Sequence, residues 1–259
     1  MPTLDRAALV GRGFCADVYA WGAGRVLKLF HGPAARPRAD REFAATRAVH
    51  AAGLPVPATY ELIEVEGRPG IVFERIEGVS LFGHTQARPW RLFAAIRLAA
   101  ELHAEVHRRM APPGLRSLHE RIAEDIDASD VPPADRRAAH DRLASLPDGA
   151  ALCHGDFHPG NILLGPRGPV VIDWSGASRG DPVGDLACTS RLLRTASLPP
   201  WAAWHAHLML RCLRPVMHRS YLRSYFRRRP GSRREVERWQ VPLAVAARSW
   251  RKPVGPGRG

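Results

Sequence analysis

Over the first quarter of the chain, apolar residues come in short runs broken by glycine. Past Gly78 they recur at helical spacing instead. In LVGRGFCADVYAWGAGRVLKLF two β-rich runs flank Gly22-Ala23-Gly24, which is hairpin punctuation. The pattern then predicts a helix over 38–52, stopped by Gly53 with Pro55 and Pro57 beyond it. Strands are expected over 60–65 and 69–75, turning at Glu66-Gly67. Farther on, Leu92, Ile96, Ala99, His103, Val106 and Met110 form one buried stripe of a helix over 90–110. Helices are also expected over 116–128 and 134–146. The stretch CHGDFHPGNILLGPRGPVVIDW, residues 153–174, interrupts them with two short strands around the turn Gly165-Pro166-Arg167-Gly168. The remainder reads as helix, with Ser232-Arg233-Arg234-Glu235 as a capping box opening the last one. The class is α+β: a small antiparallel β-rich N-terminal lobe with one helix (1–77), a mostly helical C-terminal lobe (78–252) and a flexible Pro/Gly/Arg tail (253–259).

Composition narrows the setting. A chain of 259 residues, 45% of them hydrophobic, can bury a large core. Neither an export leader nor a run of about 18 apolar residues is visible, so a cytoplasmic protein without a membrane partner is expected. Four scattered cysteines (Cys15, Cys153, Cys188, Cys212) contain no C-x-x-C, which speaks against a disulfide framework or a cysteine zinc site and for a reducing compartment. The net charge of +13 is concentrated at one end: from Ala187 onward there are 16 basic and 2 acidic residues. Such a surface suits nucleic acid or another polyanion. It equally suits a solvated helical face in a chain with 36 Arg and 2 Lys, and the run Arg227-Arg228-Arg229 lacks interleaved stacking aromatics.

The candidate chemistry begins at Gly11-Arg12-Gly13-Phe14-Cys15-Ala16-Asp17-Val18. A dinucleotide fingerprint needs a helix directly after its glycines, and here a hairpin follows. A glycine-rich hairpin can instead fold over phosphates and offer backbone N–H groups, with Gly11, Gly13 and Val18 nearest to them. Ten residues after Val18 comes Lys28, a compact ammonium and one of only two lysines in a chain that uses Arg nearly everywhere else. Glu42 is the candidate carboxylate to hold it, with Asp40 the shorter-armed alternative. His154-Gly155-Asp156 followed by Asn161, with Asp173 one hairpin downstream, repeats the Asp-to-Asn-to-Asp order of the protein-kinase template. Amide and carboxylate oxygens suit Mg²⁺, so Asn161 and Asp173 would hold the ion. Asp156 would accept or orient the proton of an acceptor hydroxyl.

HGDFHPGN, VIDW and GDPVGDLA, with GLPVP and FERIEG, resemble the aminoglycoside phosphotransferase and choline kinase-like family, a branch of the protein-kinase-like fold. The likeness covers roughly residues 8 to 190, and Ala16 stands where the family has a third glycine. It implies a bilobal fold, ATP or GTP as donor, and transfer of the γ-phosphoryl group to a hydroxyl of a small molecule. By position the resemblance places Phe73 behind the nucleobase and the backbones of Glu74 and Ile76 against it. It makes Asp185 a brace under the catalytic loop and His154 an internal anchor.

Seven residues separate Asp173 from Asp181, too few for the activation segment of a protein kinase, and no A-P-E follows. His103 and His107 stand at i and i+4, a zinc-compatible spacing, but His103 falls in the apolar stripe and reads as a satisfied core histidine. Ser80, Ser175 and Ser190 sit in no hydrolase motif. Trp201, Trp204, Trp239 and Trp250 read as core fillers. Residues 116–148 carry eight acids against five Arg, which suits a polycationic aminoglycoside, whereas the C-terminal helices suit an uncharged or anionic hydroxyl compound. Two competing readings are a nucleotide-binding pseudokinase and a nucleic-acid-binding module built on the basic third.

Overall fold

Strands β1 (Leu9–Arg12), β2 (Ala16–Ala20) and β3 (Arg25–Phe30) run as antiparallel neighbours, and β5 (Arg68–Glu74) and β4 (Thr59–Val65) complete a five-stranded sheet in the order β1-β2-β3-β5-β4. The structure is a computed structural model that describes residues 8–13, 15–195 and 204–249. The tight β4–β5 turn puts Glu66 and Gly67 at φ 51° and 71°, the pair of positive values that a two-residue hairpin turn requires. The two faces of the sheet carry separate clusters. Ala16, Phe30, Ile71 and Phe73 pack with Ala35 and Ala39 of helix α1 (Ala35–Ala51), while Tyr19, Leu27, Leu29, Val65 and Val72 form a cluster of their own. Burying those aliphatic and aromatic side chains contributes about 1.5–3 kcal/mol each before chain entropy is counted.

The chain divides into two compact units. The first comprises the sheet, α1 and β6 (Val79–Ser80), together with Asn161–Ala177 from much later in sequence. That late segment is the hairpin β8 (Ile162–Gly165) and β9 (Gly168–Val171), paired Gly165 to Gly168 across Pro166-Arg167. β6 pairs with β8, and the Val171 N–H donates to the Pro55 carbonyl at 3.0 Å. The hairpin's end thereby lies against α1, which packs on the single turn Trp174–Gly176.

The second unit is helical: α2 (Leu81–Ala87), α3 (Leu92–Val106), α4 (Leu118–Asp127), α5 (Pro133–Ala144), α6 (Pro182–Thr195), α7 (Trp204–Phe226) and α8 (Arg233–Ser249). A short ladder, β7 (Ala151–Cys153) with β10 (Ser178–Gly180), runs through it. The sequence pattern does not announce this ladder, because each strand is three residues long and Ser-Arg-Gly carries no apolar alternation.

Several expectations need correction. The apolar stripe of α3 holds at Ile96, Ala99, His103 and Val106, but the helix ends at Val106 and leaves Met110 70% exposed. Trp239 is buried in the core, whereas Trp204 is 76% exposed and is no core filler. Trp201, Trp250 and the tail 253–259 lie outside the described residues. A full capping box opens α4, not α8: Ser117 Oγ accepts the Glu120 N–H at 2.9 Å, and the Glu120 carboxylate accepts the Ser117 N–H at 2.7 Å. At α8 the Ser232 hydroxyl accepts the Glu235 N–H at 3.3 Å but donates to the Glu235 carboxylate at 2.7 Å, so only half of the reciprocal pattern forms.

Candidate active site

In the first unit the chemistry gathers at Lys28. This residue sits on β3 opposite Val18 of β2 and Ile71 of β5, and its ammonium Nζ lies 2.8 Å from each oxygen of Glu42 and 3.2 Å from Asp173 Oδ1. Glu42 belongs to the packed face of α1 and is 2% exposed. Asp40, the alternative, points to the outer side and pairs with Arg36 at 3.0 Å. The choice between the two carboxylates is thus made by the helix face. Burial alone would push the Lys28 pKa down, but the Glu42 and Asp173 charges outweigh it and hold Lys28 above the ordinary lysine range. Burial pushes Glu42 up to about 7, against the pull of Lys28.

Asp173 adopts φ 63° and ψ 65°, a left-handed conformation that costs a non-glycine residue roughly 1–2 kcal/mol. Lys28 grips its Oδ1, and the Ser175 hydroxyl donates to the same atom at 2.9 Å. Asn161 starts the strand before it. Its carbonyl accepts the Ile172 N–H at 2.9 Å, next to the pair Ile162–Val171, so Asn161 and Asp173 both lie at the open end of the β8–β9 hairpin. Asn161 is buried and Asp173 half-buried.

The glycine-rich turn closes with the Gly13 N–H donating to the Ala16 carbonyl at 2.9 Å. A Cβ on Gly13 would stand 2.8 Å from that oxygen, closer than a side chain tolerates. The register slips between Leu9 and Gly11, after which Gly11 faces Val18. At the far edge Phe73 pairs with Val26 and is 8% exposed. The Glu74 N–H already goes to the Ala58 carbonyl at 2.8 Å, so only its backbone carbonyl could meet a base. The Glu74 carboxylate takes Arg167 at 2.6 Å, and Ile76 is half-buried beside Gly165.

The second unit holds the loop that carries Asp156. Asp185, in the first turn of α6, is fully buried and accepts four N–H groups: the backbone of His154 at 2.7 Å and of Gly155 at 2.8 Å, and the Nε2 atoms of His103 and His107 at 3.1 Å each. A carboxylate has no proton to give, so both imidazoles carry theirs on Nε2. Each Nδ1 then accepts a tyrosine hydroxyl, Tyr221 at 2.9 Å and Tyr225 at 2.6 Å. Burial works against the Asp185 charge, but the imidazole hydrogen bonds overcome it and hold its pKa well below the ordinary value. Burial pushes His103 down to about 4 and His107 down as well. Phe157 stacks on His103 with ring centroids 4.2 Å apart, and its carbonyl accepts the Thr189 hydroxyl at 2.9 Å. The Asp156 N–H donates to His154 Nδ1 at 3.2 Å, while its carboxylate stays half exposed.

His103 is therefore the satisfied core histidine that its stripe suggests. The ligating atoms of His103, His107 and Asp185 lie within 4.8 Å of one another, yet both nitrogens of each ring are already engaged within the protein. Sequence reasoning picked out His103 and His107 as an i, i+4 pair but missed their partners, Asp185 and the two tyrosines. The signal available was the doubled i, i+4 pattern, His-x₃-His and Tyr-x₃-Tyr, on two helices. It also missed that Ser190 Oγ lies 2.7 Å from His218 Nε2, although this serine is fully buried inside α6.

Among solved structures the chain is similar to an aminoglycoside-3'-phosphotransferase of type VIII (TM-score 0.67, 22% identity, 92% of each chain). It is also similar to a choline/ethanolamine kinase family protein from Mesorhizobium loti (TM-score 0.60, 19% identity, 93% of this chain and 76% of that one). A third likeness is to an aminoglycoside phosphotransferase from Streptomyces rimosus in complex with ADP and streptomycin (TM-score 0.59, 19% identity, 89% of this chain and 90% of that one). At these identities the likeness carries the fold, which is protein-kinase-like. A curated relative, acyl-CoA dehydrogenase family member 11 of Gallus gallus, is 29% identical over 182 residues, taking in 61% of this chain and 23% of the relative, so the chain spans about a quarter of its length. The family model for phosphotransferase enzymes matches residues 7–220, and by that match the chain belongs to the Phosphotransferase enzyme family.

Proposed function

We propose that this chain is a small-molecule O-phosphotransferase that moves the γ-phosphoryl group of ATP or GTP to a hydroxyl, with Mg²⁺. The observation that carries the reading is the Lys28 ammonium held between Glu42 and Asp173 at 2.8 and 3.2 Å. A lysine so fixed, in the same unit as a glycine-rich turn, would suit nucleotide phosphates, which supports the reading. The donor set fits the metal: an amide and a carboxylate at one end of a hairpin offer hard oxygen atoms, and Asp173 is locked in a strained conformation. Asn161 and Asp173 would hold Mg²⁺, which when bound neutralises phosphate charge. Gly11, Gly13 and Val18 would cover the phosphates, and Phe73, Glu74 and Ile76 would border the base.

In the transfer, the acceptor oxygen bonds to the γ-phosphorus as the bond to the bridging oxygen breaks, and the hydroxyl proton passes to Asp156. Asp185 and His154 act at one remove, through the backbone N–H groups of the loop. A pseudokinase would dispense with at least one of Lys28, Asp156, Asn161 and Asp173, and all four are present.

The acceptor reads as an uncharged or anionic hydroxyl compound. Streptomycin and hygromycin B are bound in structures of similar fold, and such polycations need uncommitted carboxylates. Here Glu120 closes a helix cap, and Glu124, Asp125, Asp127, Asp130 and Asp148 pair with Arg116, Arg121, His140, Arg248 and Arg179. Six of the eight acids of 116–148 are thereby engaged within the protein. Incubation with Mg-ATP and a panel of hydroxyl compounds, followed by mass spectrometry, should find an acceptor that gains one phosphoryl group. Asp156→Ala should lower turnover by roughly 10² to 10⁴ while leaving nucleotide affinity near that of the parent. Near-normal turnover in that variant would overturn the assignment.

A further inference from the structure

The trio Lys28, Glu42 and Asp173 carries two carboxylates against one ammonium, so it offers no net positive charge to a triphosphate. A second cation lies on the helix that carries Glu42. Arg38 lies one helical turn before Glu42 on α1, and the i, i+4 spacing sends both side chains along the same face. Its guanidinium Nη1 reaches Cys15 Sγ at 2.6 Å, at the end of the glycine-rich turn. A thiol is a weak acceptor, and a guanidinium has five N–H donors. Among the described residues Arg38 has no ion pair and no other side-chain hydrogen bond, although it is half-buried. Its helix neighbour Arg36 is exposed and satisfied by Asp40.

A partly desolvated guanidinium beside a turn of backbone N–H groups, with most of its donors unused, suits a phosphate oxyanion, which it can meet through two parallel hydrogen bonds. We propose that Arg38 is a further phosphate-binding residue that contacts the terminal phosphates of the nucleotide alongside Lys28, an inference that rests on the nucleotide site proposed above. In this division Lys28 is the fixed point of the trio and Arg38 supplies the charge that the trio lacks. The thiol of Cys15 is then the resting partner that Arg38 exchanges for phosphate.

The test is calorimetric binding of ATP and of adenosine, with magnesium, to the full chain and to three variants. Arg38→Met should weaken ATP by about 10- to 100-fold and leave adenosine affinity unchanged. Arg36→Met removes the same charge from the same helix and should leave both within twofold. Cys15→Ala deletes the thiol contact but keeps the guanidinium, and should also bind ATP within twofold of the parent. Equal losses in Cys15→Ala and Arg38→Met would mean that the pair only holds the turn in place, which overturns the inference. So would an Arg38→Met variant that keeps ATP affinity, or one that loses ATP and adenosine alike. Absence of ATP uptake by the unaltered chain would instead overturn the proposed function, and this inference with it.

Discussion

Asp185 shows how much one buried carboxylate can organise. Left alone it would cost several kcal/mol, roughly, but its four N–H donors leave little of its charge uncompensated and turn that cost into a fixed loop ahead of Asp156. The price is sensitivity to acid. His103 titrates near 4 in the folded protein against an ordinary 6.5, so between those values the unfolded chain binds a proton that the folded chain refuses. Its contribution is complete above pH 6.5 and is lost as pH falls towards 4, by roughly 3 kcal/mol over the window. Asp185, held low, contributes above its ordinary 3.8 and loses that contribution as pH falls further. Glu42, raised from 4.5 to about 7, runs the other way: its ionisation weakens folding as pH rises through that interval. The comparison must therefore cancel Glu42. Denaturant unfolding of the parent and of His103→Asn should show a stability gap that narrows from pH 6.5 to pH 4, and a constant gap would contradict the assignment. At Lys28 a second prediction is available. Glu42→Gln removes the buried anion that pins the ammonium, so turnover should fall by about 10-fold or more with the fold intact, whereas unchanged turnover would separate the ion pair from the chemistry.

At the scale of elements, the segment Gly180–Asp185 depends on absent side chains. A Cβ on Gly184 would stand 2.7 Å from Leu118 Cδ2 and 2.9 Å from the Trp239 ring, so α6 can meet α4 and α8 only with glycine there. Gly184→Ala should therefore destabilise the protein by about 1–3 kcal/mol through overpacking, read as a lowered unfolding midpoint, and an unshifted midpoint would show that the contact relaxes freely. The elements also show what the sequence makes legible. The hairpins, α1 and most of the α3 stripe follow from local periodicity and turn residues, which is why their limits agree within a few positions. Lys28, Asp156, Asn161 and Asp173 stand out because their order and spacing are a chemical pattern. Local spacing leaves Glu42 and Asp40 open, and burial separates them. Tyr221 and Tyr225 lie 118 residues from their histidine partners, and β7 and β10 meet from distant positions, so no local window contains either relation. Met110 shows the converse, since its spacing is helical but the helix has already ended.

Over the whole molecule, charge and chain order take on different meanings. The basic third is partly neutralised from within: Arg194 pairs with Glu237, Arg228 with Glu101 and Arg248 with Asp130. This favours a solvated helical face over a polyanion groove. No helix among the described residues is long and apolar enough to cross a membrane, and all four cysteines are free thiols. The segment Asn161–Ala177 returns to the first unit after eighty residues of the second, so that the charged trio of Lys28, Glu42 and Asp173 is complete within one compact unit. A division by chain order alone does not reveal this. The central claim, that this unit takes a nucleotide through a metal held by Asn161 and Asp173, is tested most directly by titration calorimetry of ATP into the folded chain with and without magnesium. Saturable binding that requires magnesium and disappears in Asp173→Ala is the predicted result. Folded protein that takes up no ATP under either condition, or a variant that binds Mg-ATP as the parent does, would contradict it.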